Sequence, residues 1–324
     1  MSSPYSLSPN GSASNSSSSN VLVGPAGWSY PHWDGVFYPR SKPRAFHPLT
    51  YLSQFFSTVE INTSFYQPLR PELARLWVSM VSQRPEFQFT AKLGRRFTHD
   101  RQLEPAEVAQ FAEGLRPLQR AGKLGALLME FPWSFRFSEE NREYLIRLRR
   151  AFHEFPLVAE ARHSSWLTEE AIGTLMDYKI GFCNIDQPEH PRAMPPSHVL
   201  TTGIGYVRLH GRGDAGAWMK DFSGARERVV RNDYLYGAEE LAEWKTRVDK
   251  ISRHASRVIV IFNNDARAKS LVNAFQMQTL LQPGRCRVPR ELLMKYPVEL
   301  AGLAPTRPMQ RALFDEPLVA ASAA

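Results

Sequence analysis

Cysteine is scarce: Cys183 and Cys286 are the two thiols among 324 residues, too few for a disulfide framework and without the paired spacing of a zinc site. No apolar run approaches the roughly 20 residues of a membrane span. The glycine fingerprint of a dinucleotide fold and the HExxH pairing of a metalloprotease are both missing. Residues 1–20 are mostly Ser and Asn, with neither a basic start nor an apolar stretch, and read as a disordered tail rather than a signal peptide. These absences exclude a disulfide scaffold and an integral membrane protein, and make the cytoplasm the default location. What is present is a 43% hydrophobic composition, enough for one large core, and a formal charge of +8 whose summed field favours anionic partners.

Short runs rich in Val, Ile, Leu and Phe recur down the chain, each followed by a polar stretch and a segment of helical spacing. Eight stand out: VLVG from Val21, TVEI from Thr58, FQFTAK from Phe87, GALLMEF from Gly125, PLVAE from Pro156, IGFCNID from Ile180, GYVRLH from Gly205 and RVIVIF from Arg257. Helices are expected over 49–56, from Pro71, from Glu104, from Ser138 as cap with Tyr144, Leu145, Leu148 and Phe152 inward, and from Thr168 as cap with Ala171, Ile172, Leu175 and Met176 inward. Two more follow over 239–254, with Leu241, Trp244, Val248 and Ile251 inward, and over 266–281, with Leu271, Val272, Phe275 and Leu280 inward. The crossover between the sixth and seventh runs is proline-rich and irregular. Eight strand and crossover units in about 260 residues predict an α/β fold, a (β/α)8 TIM-type barrel over 21–282, followed by a Pro-rich extension over 283–324.

In such barrels the mouth is built from the C-terminal ends of the strands. Here those ends are polar: Glu60 and Asn62; Lys92; Glu130; Glu160, Arg162 and His163; Asp186; Arg208 and His210; Asn263 and Asn264. The first strand instead leads into GWSYPHWDGVFYP, residues 27–39. There Trp28, Trp33 and Tyr38 either wall a polar pocket and stack on substrate or pack against helices. Asn264 and Asp265 are also suited to capping the last helix. Glu60, Glu160 and Asp186 beside Lys92, Arg162 and Arg208 suit a site that binds an anion and moves a proton. Glu160, Asp186 and His210 are also conceivable metal ligands, without a short metal spacing to support them. No cofactor is specified.

The motifs GWSYPHWDGVFYP, VEINTSFY, FTAKLGRRFTH, Glu160-Ala-Arg-His, Tyr206-Val-Arg-Leu-His-Gly and Phe262-Asn-Asn together resemble the domain of unknown function 72 family, also called YecE-like. The resemblance implies a TIM-type barrel and a polar mouth at Glu60, Asn62, Lys92, His99, Glu160, Arg162, Asp186, Arg208, His210 and Asn263, but no settled activity. This chain departs from the family pattern at GPAG (24–27), at Glu130 where Gln is usual, and in a longer basic segment from Trp218 to Arg231.

The extension holds Gln310-Arg311-Ala312-Leu313-Phe314, which resembles the peptide that docks on bacterial sliding clamps, with Leu313 and Phe314 as apolar anchors and Gln310 as the hydrogen-bonding end. Three functions compete. The first is an enzyme on a phosphate-bearing substrate, DNA or a nucleotide, with Arg162, Arg208 and Lys92 holding phosphate, Glu60 or Glu160 as base and His210 as acid or ligand. In that reading, removing Arg208 abolishes binding and leaves the melting temperature nearly unchanged. The second is a non-catalytic nucleic-acid or protein adaptor tethered to a clamp, and the third a carbohydrate-acting enzyme with paired carboxylates.

Overall fold

The computed structural model describes residues 20–213, 232–284 and 286–306. The clamp-like peptide, the Ser/Asn-rich start before Asn20 and the whole basic segment from Trp218 to Arg231 lie outside these residues. All eight expected runs are strands: β1 (Val21–Pro25), β2 (Thr58–Ile61), β3 (Gln88–Lys92), β4 (Leu124–Glu130), β5 (Leu157–Glu160), β6 (Gly181–Asp186), β7 (Ile204–Leu209) and β8 (Arg257–Phe262). They pair in parallel in the order β1-β8-β7-β6-β5-β4-β3-β2. The last seam, between β1 and β2, is closed by the Ala26–Glu60 bridge and the hydrogen bond from Gly27 N–H to the Glu60 carbonyl at 2.9 Å. At that seam the chains approach so closely that a Cβ on Gly24 would lie 1.8 Å from the Thr58 carbonyl oxygen. Only glycine fits there.

Helices α1 (Pro48–Leu52), α2 (Pro71–Met80), α3 (Arg95–Thr98), α4 (Pro105–Arg120), α5 (Glu139–Ala151), α6 (Glu169–Asp177), α7 (Ala238–Ser252) and α8 (Lys269–Leu281) occupy most of the crossovers. Ser138 and Thr168 cap α5 and α6, accepting from Asn141 and Ala171 N–H at 3.3 Å each. No helix interrupts residues 187–203, the irregular crossover between β6 and β7. After α8 the chain adds α9 (Arg290–Lys295) and a small parallel pair, β9 (Arg287–Val288) with β10 (Ala304–Pro305).

Several expectations fail in detail. Met176 and Leu280 are 56% and 39% exposed, each lying past the edge of an apolar stripe that its neighbours complete. The last crossover breaks into a 3-10 turn (Ala266–Ala268) before α8, because Arg267 and Ala268 take positive φ of 55° and 66°. Asn264 and Asp265 therefore do not cap α8. The Asn264 amide instead donates to Tyr234 O and Asn273 Oδ1. None of the helices among the described residues is long and apolar enough to cross a membrane.

Candidate functional site

Side chains alternate across a strand, so only every second residue faces the barrel axis. On β7 the inward set is Tyr206, Arg208 and, just beyond the strand, His210. Arg208 is 1% exposed and organises the interior. Its Nη1 donates to Glu130 Oε2 and Glu160 Oε2 at 2.9 Å each, and its Nη2 to Glu60 Oε1 at 2.8 Å. The Tyr206 hydroxyl lies 3.0 Å from both Glu60 Oε2 and Thr90 Oγ1. His210 Nε2 meets Glu160 Oε1 at 3.0 Å, while its Nδ1 faces the Asn263 amide nitrogen at 3.0 Å. A carboxylate only accepts, so Nε2 carries the proton and Nδ1 accepts from Asn263. Burial, reinforced by the nearby guanidiniums, holds His210 neutral with its pKa pushed down to about 4.

The three carboxyl groups respond differently to this crowding. Burial raises Glu60 above the usual carboxylate range despite Arg208. Burial also works to raise Glu130, but Lys92, Arg208 and Arg162 together hold it well below. Glu160 is likewise held low, because Arg208 and His210 outweigh its desolvation.

Solvent reaches only the layer above. Lys92 Nζ sits 2.5 Å from Glu130 Oε2 and 4.3 Å from the centre of the Phe65 ring. Arg162 Nη2 donates to Glu130 Oε1, and its Nε lies 3.5 Å from Glu160 Oε1. The Lys92, Glu130 and Arg162 side chains keep 12%, 10% and 10% of their surface in water, against none for Glu60, Glu160 and His210. His99 joins this level, half-buried, with Nδ1 2.9 Å from Thr98 Oγ1 and its ring against Phe65. Burial and the positive charges of Arg162, Arg95 and Lys92 lower its pKa to about 4. The Asn62 amide nitrogen reaches the Tyr30 hydroxyl at 3.4 Å, and its Oδ1 is buried without a hydrogen-bond partner.

The expected residues thus divide. Glu60, Glu160, Arg208 and His210 come together, in a lower tier whose side chains expose 1% of their surface or less. Lys92, His99 and Arg162 form the upper tier, while Asn62 meets the Tyr30 hydroxyl and Asn263 the His210 ring. Glu130 belongs to the upper tier too and is its carboxylate, buried but for about a tenth of its side chain. Asp186 does not join either tier. Cys183 faces inward, 3.9 Å from Glu160 Oε2, so Asp186 three residues later points out. There it accepts from Trp244 Nε1 at 2.7 Å and from Arg212 Nε at 3.0 Å, tying α7 to the sheet.

The aromatic loop packs on helices. Trp33 and Tyr38 are buried among Phe37, Tyr51 and their neighbours, with the Tyr38 hydroxyl donating to Trp28 O. Trp28 stands edge-on to Trp77 of α2 at 4.9 Å. None of the three walls the charged cluster. The ring that does reach it is Tyr30, the one aromatic of the loop that contacts Asn62, and its phase relative to Trp28 was the available signal. Tyr206 was equally legible from its two-residue offset to Arg208.

Among the described residues no three His, Cys, Asp or Glu side chains are disposed to hold a metal ion. The carboxylates that come closest together are already committed to Arg208, Lys92 and Arg162. A cavity of about 720 Å3 lies at the other end of the barrel, between the start of β1, the residues after α1 and the end of α8. It shares no residue with the charged cluster.

A family profile described as "Protein of unknown function DUF72" matches residues 22–294. The UPF0759 protein YunF of Bacillus subtilis (strain 168) is 28% identical over 300 residues, spanning 88% of this chain and 98% of that protein. A crystal structure of a DUF72 family protein from Thermotoga maritima MSB8 superposes with a TM-score of 0.68 at 32% identity, covering 81% of this chain and 99% of that one. A second, from Enterococcus faecalis V583, gives 0.70 at 26% identity, covering 81% and 95%.

Proposed function

The chain belongs to the DUF72 family, and from the two tiers of its mouth we propose that it is an enzyme that holds the phosphate of a nucleotide or DNA substrate between Lys92 and Arg162, with His99 as the proton-transfer group. One observation carries this reading. Lys92 and Arg162 flank a single carboxylate, Glu130, at the level that solvent reaches. The Glu130 oxygens lie where the oxygens of a bound phosphate would receive the same two cations, one as a point charge and one as a planar fork. Arg208 lies beneath, too buried to touch substrate, and fixes the carboxylates that orient the upper tier.

Substrate binding would also tune His99. Burial is the main cause of the lowered pKa of His99 and persists, but a phosphate between Lys92 and Arg162 offsets the smaller contribution of those two cations, moving the imidazole part of the way back toward the range useful for proton transfer. DNA as the carrier of the phosphate draws on the formal charge of +8. The peptide Gln310–Phe314, outside the described residues, extends the reading to a sliding clamp, and deleting residues 309–315 is then expected to abolish clamp association. The carbohydrate alternative gains from Glu130 and Glu160 sharing Arg208 Nη1. It loses because both are held ionised, whereas glycoside hydrolysis requires one of the pair as a protonated acid.

The test is calorimetric titration with inorganic phosphate and a nucleoside monophosphate at low salt. Lys92→Ala and Arg162→Ala are each expected to weaken binding about tenfold or more, as loss of a charge-assisted contact does. Unchanged affinity in both variants, at unchanged melting temperature, would refute the proposal.

A further inference from the structure

A second cluster sits on the rim beside Arg162. His163 follows it in sequence and turns to the other side of the strand, where it is 5% exposed. Its Nδ1 accepts from Ser165 N–H at 3.1 Å and lies 2.9 Å from Ser165 Oγ. That hydroxyl oxygen itself accepts from Phe137 N–H at 2.8 Å, so its proton is free to point at Nδ1. The remaining proton of neutral His163 is therefore on Nε2, which is buried without a hydrogen-bond partner. His190 Nε2 is also buried and unpartnered, but its Nδ1 donates to Pro191 O at 3.3 Å, so in the neutral ring that Nε2 is a lone pair and not a second N–H.

The Trp133 indole lies against both imidazoles, with ring centres 4.8 and 4.1 Å away. Three segments converge here, stitched by the hydrogen bond from Ser164 N–H to Arg192 O at 2.9 Å and the His163–Ala193 bridge. Arg136 and Arg192 bring positive charge to bear on His163. Both are exposed, and neither is ion-paired among the described residues. Buried N–H groups are almost always satisfied, so an orphan beside two uncommitted guanidiniums marks a place for an acceptor carrying negative charge. The same positive charge makes it a poor place for a metal cation.

We propose that His163, Arg136 and Arg192, with Trp133 as their wall, form a second phosphate subsite, so that the substrate of this barrel carries two linked phosphoryl groups. Its identity as substrate rests on the mouth reading above, whereas the subsite itself does not. The upper tier takes one phosphate and the rim takes the next. His163 donates from Nε2, and the two arginines neutralise the charge from the solvent side.

Nitrogen-resolved NMR of the Trp133 indole and His163 imidazole, during titration with inorganic phosphate and then pyrophosphate, tests this. Phosphate is expected to shift both signals in the wild type and in Lys92→Ala. The double variant Arg136→Ala/Arg192→Ala, altered only at exposed positions, is expected to lose about tenfold or more in rim affinity. Pyrophosphate is expected to bind more tightly than phosphate, an advantage lost in either variant. Signals that do not move with phosphate, or a double variant that binds like the wild type, would overturn the subsite. Rim shifts intact while Lys92→Ala leaves overall affinity unchanged would support the subsite and overturn the mouth reading.

Discussion

Replacing Arg208 by Met keeps the length of the side chain and removes its charge from a space with no water to compensate. The three carboxylates beneath the mouth do not suffer equally. Glu130 retains Lys92 and Arg162, and Glu160 retains His210 and the more distant Arg162. Glu60 loses the cation 2.8 Å away and keeps only the Tyr206 hydroxyl. One buried carboxylate is therefore orphaned, at a cost of about 3–5 kcal/mol. At roughly 2–4 °C per kcal/mol for a domain of this class, the melting temperature should fall by roughly 6–20 °C. Urea unfolding followed by circular dichroism measures the loss directly. Glu60 would protonate to escape, so the deficit should be smaller at pH 5 than at pH 8. The double variant Glu60→Gln/Arg208→Met, which removes both charges, should recover most of it. A melting temperature within a degree of wild type would show that Arg208 is not the organising cation. The sequence-based expectation, that Arg208 contacts substrate and is dispensable for stability, predicts that outcome.

Other perturbations follow from the same geometry. Glu130→Gln releases Lys92 and Arg162 from an internal anion, so phosphate affinity should rise several-fold, with a steeper salt dependence in calorimetry; weaker binding would contradict it. Fully buried His210 has its pKa depressed to about 4 from an unfolded value near 6.5, so its contribution is complete above pH 6.5 and is lost as pH falls toward 4. The loss should approach about 3 kcal/mol in urea melts, an order-of-magnitude figure. Glu60, whose pKa is raised, works in the opposite direction, so its contribution is lost as pH rises above about 4.3; the Glu60→Gln background removes it, and because His99 is lowered over the same range, the part of the slope that disappears on adding His210→Gln is the part that belongs to His210. A flat profile in that background would be a refutation. Gly24→Ala drives a methyl group against the Thr58 carbonyl and should part the β1–β2 seam, read as loss of cooperative unfolding.

The barrel was legible because each strand is a short apolar run bounded by polar crossovers, a pattern that survives without knowledge of contacts. The polar strand ends were legible for the same reason. Their division into two tiers was not. Glu160 and Arg162 are separated by one residue, Ala161, and by the boundary between dry interior and solvent, a difference of depth that alternation does not encode. Asp186 shows what parity could have added: it is an odd number of residues from Cys183, so the two must face opposite ways. Only the pairing of Cys183 with Tyr206 reveals which way is inward. Trp33 and Tyr38 were ambiguous because burial on a helix and exposure to a pocket demand the same side chains. His163 gave no local signal, since its unpartnered nitrogen arises from segments that meet only in the folded chain.

Glu60 completes the cylinder with its backbone and anchors the central guanidinium with its carboxylate. Hoop and keystone are one amino acid. A chain whose final stave has not yet docked therefore has no assembled acidic floor, and any transient parting of that joint must be felt at once by the groups above it. Closure of the wall and assembly of the acidic floor arrive in a single step.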